Sequence, residues 1–264
     1  MDVAAAILTL RRGLHLDMFP DRVHAPAPLP VAVHSTVAEA KIQAPNYLQH
    51  HYWWAYVHPN AVRVFERQWL VDLILWGHYR RLCDEVLTEF GDTPPGRTLQ
   101  VACVYGDLTN RLAERMAAGG GALDVVDVLP IQLENLRRKL PRESRVRLLQ
   151  GDSSALPLPD ATYDRVLMFF LLHEQPAEVR RQTLREAFRV VRPGGKVLII
   201  DYGRPKWWHP LKLFWLPLMG GLEPFAMDLW RHDLDRWLPP APAAQAIRRR
   251  SYFGGLFQKL VIEL

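Results

Sequence analysis

Two aspartates stand where a nucleotide would need them. Asp127 closes the apolar run from Ala122 to Val128, and Asp152 follows the run from Val146 to Leu149 within Gly151-Asp152-Ser153. In a chain that alternates strands and helices, a carboxylate ending the second strand can accept hydrogen bonds from both hydroxyls of a ribose. One after the third strand, with amides close by, can read the edge of an adenine. Either residue could instead be a turn or cap aspartate, because Asp readily bonds its own following backbone. Their occurrence in consecutive connections, ahead of a Pro193-Gly194-Gly195 turn, favours the nucleotide. Upstream lies Leu99-Gln100-Val101-Ala102-Cys103-Val104-Tyr105-Gly106, in the place of a glycine-rich loop that lets backbone approach a ligand. Candidate cofactor contacts are therefore Gln100, Ala102, Tyr105, Gly106, Asp127, Val128, Asp152, Ser153 and Phe169.

The elements that must position these residues follow from periodicity. Residues 1–40, with a proline-rich stretch from Pro20 to Pro30, predict a tail that packs little. An aromatic-rich segment from Asn46 to Pro59 and one long helix from Asn60 to about Phe90 form a cap over residues 41–95. Over residues 97–202, strands are expected at Thr98–Val104, Ala122–Val128, Val146–Leu149, Tyr163–Leu172 and Lys196–Asp201. Helices are expected at Asn110–Ala118, Ile131–Lys139 and Ala177–Val191. Such alternation predicts a mainly parallel sheet with helices on both faces, which binds ligands beyond the carboxyl ends of its strands. Residues 203–246 break the pattern with Trp, Phe, Leu and Pro, and residues 247–264 read as a hairpin with a glycine turn.

Composition narrows the function. Among 264 residues, 33 basic and 28 acidic side chains leave a net charge of +5, too mild for a nucleic-acid binder but suited to an anionic lipid surface. The two cysteines, Cys83 and Cys103, sit in apolar stretches, which argues against a disulfide framework or zinc site and for a reducing compartment. No apolar run reaches the length of a membrane span, and the N-terminus has its apolar residues before Arg11 and Arg12, the reverse of a secretory signal. The expected place is cytoplasmic, peripheral on the inner face of a membrane, or on the matrix side of a mitochondrion.

Five strand–helix units closed by a hairpin resemble the seven-stranded, Rossmann-like sheet of class I S-adenosylmethionine (SAM) dependent methyltransferases. In that superfamily the loop after the first strand runs acidic-x-Gly-x-Gly-x-Gly; here Gln100, Ala102 and Val104 replace the acid and two glycines, and Gly106 remains. More specific segments are Val101 to Asp107, Phe169 to Glu174, Asp201-Tyr202, His209 to Leu211, Leu222 to Ala226 and Tyr252 to Lys259. With the Tyr52 to Pro59 stretch, they resemble the rhodoquinone biosynthesis family (RquA) over roughly residues 45 to 264. That resemblance implies replacement of a ubiquinone methoxy group by an amino group, with SAM as nitrogen source and manganese(II) in support. Gly203 departs from the pattern, in which a histidine often follows the Asp-Tyr pair.

For such chemistry, His173, Glu174 and Asp201 are the candidates to hold the metal or move protons, with Tyr105 and Tyr202 beside them; His209 and Glu223 are second-rank. A His-Glu pair after a strand can also simply cap the next helix, and Tyr105 can fill space or orient an amine. Trp207, Trp208, Phe214, Trp215, Phe225 and Trp230, with Lys206, Lys212 and Arg231, suit either an interfacial segment guiding a polyprenyl tail or a lid on the core. Arg248, Arg249 and Arg250 read as a solvated strand edge. Two other functions remain open: SAM-dependent C- or O-methylation of a prenylated ring, and non-catalytic quinone binding.

Overall fold

The computed structural model describes residues 44–52, 55–56, 59–103, 105–210, 224–239 and 246–264. The N-terminal tail and residues 211–223, with Phe214, Trp215 and Glu223, lie outside them, as does Val104.

Seven strands form one sheet in the order β3-β2-β1-β4-β5-β7-β6. They are β1 (Arg97–Val101), β2 (Ala122–Asp127), β3 (Arg147–Gln150), β4 (Tyr163–Phe169), β5 (Val191–Tyr202), β6 (Ala246–Tyr252) and β7 (Phe257–Glu263). The first five pair in parallel, and β7 runs antiparallel to both β5 and β6. Chain order reverses between β1 and β4, which opens a crevice at their carboxyl ends.

Strand alternation puts the side chains of the sheet into two cores. Leu123, Val125, Leu167, Phe169, Leu198 and Ile200 pack on one face with the helices Tyr79–Phe90 and Leu108–Ala118. Leu99, Val101, Val126, Val166, Met168 and Ile199 pack on the other with the helix Ala177–Val190. At the centre of the sheet β4 and β5 carry continuous apolar runs, Val166 to Phe169 and Val197 to Ile200, as burial on both faces requires.

Element types agree with the sequence pattern; several boundaries differ for local reasons. The long helix expected from residue 60 is three: α2 (Pro59–Phe65), α3 (Gln68–Ile74) and α4 (Tyr79–Phe90), after a short α1 (Asn46–His51). Trp76 and Gly77 both adopt positive φ, 54° and 73°, which ends one helix and turns the chain into the next. β4 stops at Phe169 because Phe170 also turns left-handed (φ 54°), so Leu171 and Leu172 belong to a turn and not to the strand. β5 starts early, at Val191, and carries the Pro-Gly-Gly segment across a register shift against Tyr163 and Arg165.

β6 is the outer strand of the sheet, and its arginines are ion-paired as well as solvated. Arg248 meets Glu89 and Glu263, Arg249 meets Asp233 and Asp235, and Arg250 meets Glu85. The described part of the aromatic insert is divided. Trp230 and Trp237 are buried, while Trp207 (85%) and Trp208 (54%) are exposed. No described helix is long and apolar enough to cross a membrane.

Candidate active site

A cavity sits at the carboxyl ends of β1, β2 and β4, roofed by α1 to α4 of the cap. At the carboxyl end of β2 lies Asp127. Its carboxylate accepts the amide of Cys103 at 2.8 Å and that of Leu129 at 2.9 Å, so both oxygens are fixed in direction. Burial nevertheless pushes its pKa up to about 6, outweighing those hydrogen bonds. Val128, Ser153, Phe169 and Ala102 line the cavity beside it. Asp152 does not. One of its oxygens accepts both the amide and the hydroxyl of Ser154, at 2.8 and 2.7 Å, in a local turn.

The loop after β1 keeps a glycine-like shape without most of the glycines. Ala102 holds φ 69°, a conformation costing an L-residue about 1–2 kcal/mol. Its amide donates to Val126 O at 2.8 Å. Gly106 has φ 94°, and a β-carbon there would run into the hydroxyl of Tyr79. That hydroxyl accepts the amides of Asp107 and Leu108 at the start of the next helix (2.8 and 3.0 Å), so the close approach has a purpose. Glu66, in the α2–α3 turn, accepts from Lys139 (2.6 Å) and from the Gly106 amide (3.3 Å), and Lys139 also donates to Gly106 O. Cap and loop are thereby braced together.

Tyr105 enters the cavity with its hydroxyl donating to Ala55 O (2.7 Å) and accepting from Gln132 Nε2 (2.9 Å). Its ring is stacked against Tyr56 and Phe65, at centroid distances of 5.7 and 6.0 Å. Burial keeps the phenol protonated by raising its pKa. Gln100 and Gly106 support the loop from behind and do not reach the cavity wall; Gln100 Nε2 donates to Ala102 O at 3.2 Å.

On the opposite side the chain leaves β4 through Phe170 and a short 3₁₀ turn, Leu172–Glu174. His173 and Glu174 both line the cavity. Asp201, at the end of β5, is fully buried behind them and accepts four hydrogen bonds. They come from the amides of Leu172 (2.8 Å), His173 (3.3 Å) and Tyr202 (2.7 Å), and from His173 Nδ1 (2.9 Å). A carboxylate so placed fixes the imidazole proton on Nδ1 and leaves the lone pair on Nε2. Nε2 lies 3.8 Å from Glu174 Oε1, which also accepts the hydroxyl of Tyr56. The Tyr202 ring meets His173 edge-on at 4.8 Å and forms the adjoining wall. Arg180, fully buried, donates to Leu172 O, Gln175 O and Phe225 O and so ties this turn to the aromatic insert.

The metal expectation for His173, Glu174 and Asp201 is not supported. Among the described residues no group of three His, Cys, Asp or Glu is arranged to hold a metal ion. The reason is visible in Asp201, whose two oxygens are each taken by two N–H donors. His209 is engaged elsewhere, with Nε2 3.1 Å from Phe253 O. Gly203 is built in: a β-carbon there would come within 2.7 Å of the Gly255 carbonyl, so the histidine of the resembling family would need a shifted chain.

Tyr56, Gln132 and Phe170 are site residues that the sequence pattern did not single out. The aromatic crowding of residues 46–59 was the one signal available for Tyr56, and nothing in it says which ring faces the site.

Residues 98–195 match the family model described as a methyltransferase domain. The demethylmenaquinone methyltransferase of Bacillus licheniformis is 32% identical over 158 residues, 56% of this chain and 66% of the relative. The ubiquinone/menaquinone biosynthesis C-methyltransferase UbiE of Hahella chejuensis is 29% identical over 170 residues (61% and 67%), and that of Ruegeria sp. 29% over 136 (50% and 53%). The chain thus spans between about half and two thirds of these curated relatives. Among solved structures, PigF with SAH superposes with a TM-score of 0.54 at 17% identity, over 81% of this chain and 62% of that one. An O-methyltransferase family protein from Burkholderia thailandensis gives 0.53 at 18%, over 78% and 60%. Strand order, antiparallel final hairpin and these superpositions agree: the chain has the class I SAM-dependent methyltransferase fold, and residues 98–195 are the part that resembles the methyltransferase-domain model.

Proposed function

We propose that this protein binds SAM against Asp127 and transfers its methyl group to a ring carbon of a quinol. The observation that carries the reading is the His173–Asp201 pair, held at 2.9 Å and facing the same aromatic-walled cavity as Asp127. Asp127 offers fixed carboxylate oxygens to ribose hydroxyls, and Ser153 and Phe169 flank it as an adenosine would require. SAM supplies an electrophilic methyl group on a positively charged sulfur. His173 Nε2 takes the proton of a ring hydroxyl, and the resulting phenolate raises electron density on the neighbouring ring carbon, which attacks the methyl. The walls, Tyr56, Phe170 and Tyr202, suit a flat apolar ring. The names of the curated relatives given above, a demethylmenaquinone methyltransferase and two ubiquinone/menaquinone biosynthesis C-methyltransferases, support this acceptor.

Amino transfer to ubiquinone, implied by the family resemblance, is the second reading. One observation favours it: Tyr105 and the alanine at 102 occupy a loop where glycines usually clear space around the SAM sulfonium. Its manganese requirement finds no fitting donor set among the described residues, so no step is drawn through a metal. Doubly labelled SAM separates the two: methyl carbon-13 in the quinone product is the expected result, and amine nitrogen-15 there would make amino transfer the activity.

A membrane surface is the proposed source of the quinone. Trp207 and Trp208 are exposed, and Lys206 lies over the Trp208 ring at 5.7 Å, a pairing suited to the headgroup region.

A further inference from the structure

Methylating an aromatic carbon leaves two protons to be handled while the site holds one histidine base. The first, from the ring hydroxyl, converts His173 to imidazolium. When the carbon–carbon bond forms, the electron pair of the carbon–sulfur bond returns to sulfur, and the acceptor carbon becomes tetrahedral, still carrying its own hydrogen. That hydrogen must leave as a proton to restore the aromatic ring, and His173 cannot accept it.

We propose that Glu174, held in place by Tyr56, is the second base. The inference rests on the methyl-transfer reading above. Glu174 and His173 are neighbours on one turn and both line the cavity, with Oε1 3.8 Å from Nε2. A ring stacked in the cavity with a hydroxyl at Nε2 therefore brings the carbon next to that hydroxyl towards the carboxylate. At 3.8 Å the carboxylate also stabilises the imidazolium that precedes its own step. Tyr56 fixes the carboxylate from the far side of the cavity by donating its hydroxyl to Oε1. Tyr56 is itself held, its carbonyl accepting Gln132 Nε2 at 3.1 Å and its ring stacked on Tyr105. It is a positioning residue; Glu174 is the catalytic one. In the closing step the C–H bond breaks, its proton goes to Glu174 and its electron pair restores the ring. The ring oxygen recovers a proton from the imidazolium, Glu174 releases its own to solvent, and one proton is lost per methyl transferred.

The test uses the full-length protein with methyl-labelled SAM and a quinol carrying hydrogen or deuterium at the acceptor carbon. In the parent, methyl transfer is expected to limit turnover, and the two quinols to react equally fast. Glu174→Gln is expected to lower kcat about 10²–10⁴-fold and to make ring-proton removal limiting, so that a primary isotope effect appears. Tyr56→Phe is expected to act in the same direction, by about 10-fold, with a smaller isotope effect. Unchanged SAM affinity by calorimetry verifies that each variant is folded. An isotope effect that stays at unity in both variants overturns the assignment of Glu174 while leaving methyl transfer in place. Absence of methyl label from the product of the parent overturns the methyl-transfer reading, and this inference falls with it.

Discussion

Replacing Asp201 by asparagine tests the centre of the site with almost no change of volume. The native carboxylate accepts two N–H donors on each oxygen: Leu172 and His173 amides on Oδ2, Tyr202 amide and His173 Nδ1 on Oδ1. Asparagine has one acceptor oxygen and one donor nitrogen, so either orientation leaves two donors facing an NH₂ group. If the oxygen turns to the Leu172 and His173 amides, His173 can adapt by moving its proton to Nε2, but the Tyr202 amide stays buried and unpaired. An unpaired buried amide costs about 1–3 kcal/mol, and the remaining bonds lose their charge assistance at about 1 kcal/mol each. The expected destabilisation is about 3–5 kcal/mol, measured as a fall in the urea midpoint at constant m. The tautomer shift removes the lone pair from Nε2, so kcat should fall by about 10²–10⁴ while SAM affinity, governed across the cavity by Asp127, is unchanged. A variant that loses less than about 1 kcal/mol and keeps its turnover would refute the reasoning, because Asp201 would then be orienting nothing.

Two further outcomes follow from the geometry. Asp127 has a folded pKa of about 6 against an ordinary 3.8, so its shift contributes stability that is fully present below about pH 4 and lost as pH rises through about 6. Asp127→Asn should flatten that part of the stability–pH curve and weaken SAM about 10–100-fold at pH 8; the parent's affinity should fall as pH drops through about 6 and the variant's should not, which calorimetry at pH 5 and 8 would measure. Replacing Trp207 and Trp208 together by glutamate should reduce cosedimentation with anionic vesicles and leave SAM affinity intact; equal sedimentation of variant and parent would mean that these rings do not meet lipid.

The sequence made the sheet legible because its central strands carry continuous apolar runs and the helices between them do not. Asp127 was legible by position, as the last residue of the second strand. The errors cluster where backbone turns inside apolar sequence. Leu171 and Leu172 look like strand, yet Phe170 at φ 54° sends them into the cavity turn, and no hydrophobicity pattern registers a dihedral angle. Trp76-Gly77 hid a helix break in the same way, although its glycine was a signal available to the reading. Asp152 stands at the expected position after the third strand, and there Ser154, two residues on, bonds one of its carboxylate oxygens. Tyr56 could not be found locally at all, since its partner Glu174 lies 118 residues away in the chain.

The loop after β1 shows how a site can keep its shape after losing the residues that usually give it. Ala102 stands where glycine would be free of strain, and nothing intrinsic to the loop offsets its φ of 69°. The compensation comes from the cap. Glu66 and Tyr79 grip the Gly106–Leu108 backbone, Lys139 closes the brace from the end of the helix Pro130–Lys139, and Ala55 and Gln132 hold the hydroxyl of Tyr105. Each of those contacts comes from outside the loop, and four are made by three residues of the cap segment, Ala55, Glu66 and Tyr79. Loop and cap thus form one mechanical unit: the same segment that supplies Tyr56 to Glu174 also sets the backbone beside Asp127. On the proposed reading, a change that loosens the cap disturbs nucleotide binding and proton transfer together, whereas Asp127 and Asp201, anchored in the sheet, can each be altered without the other.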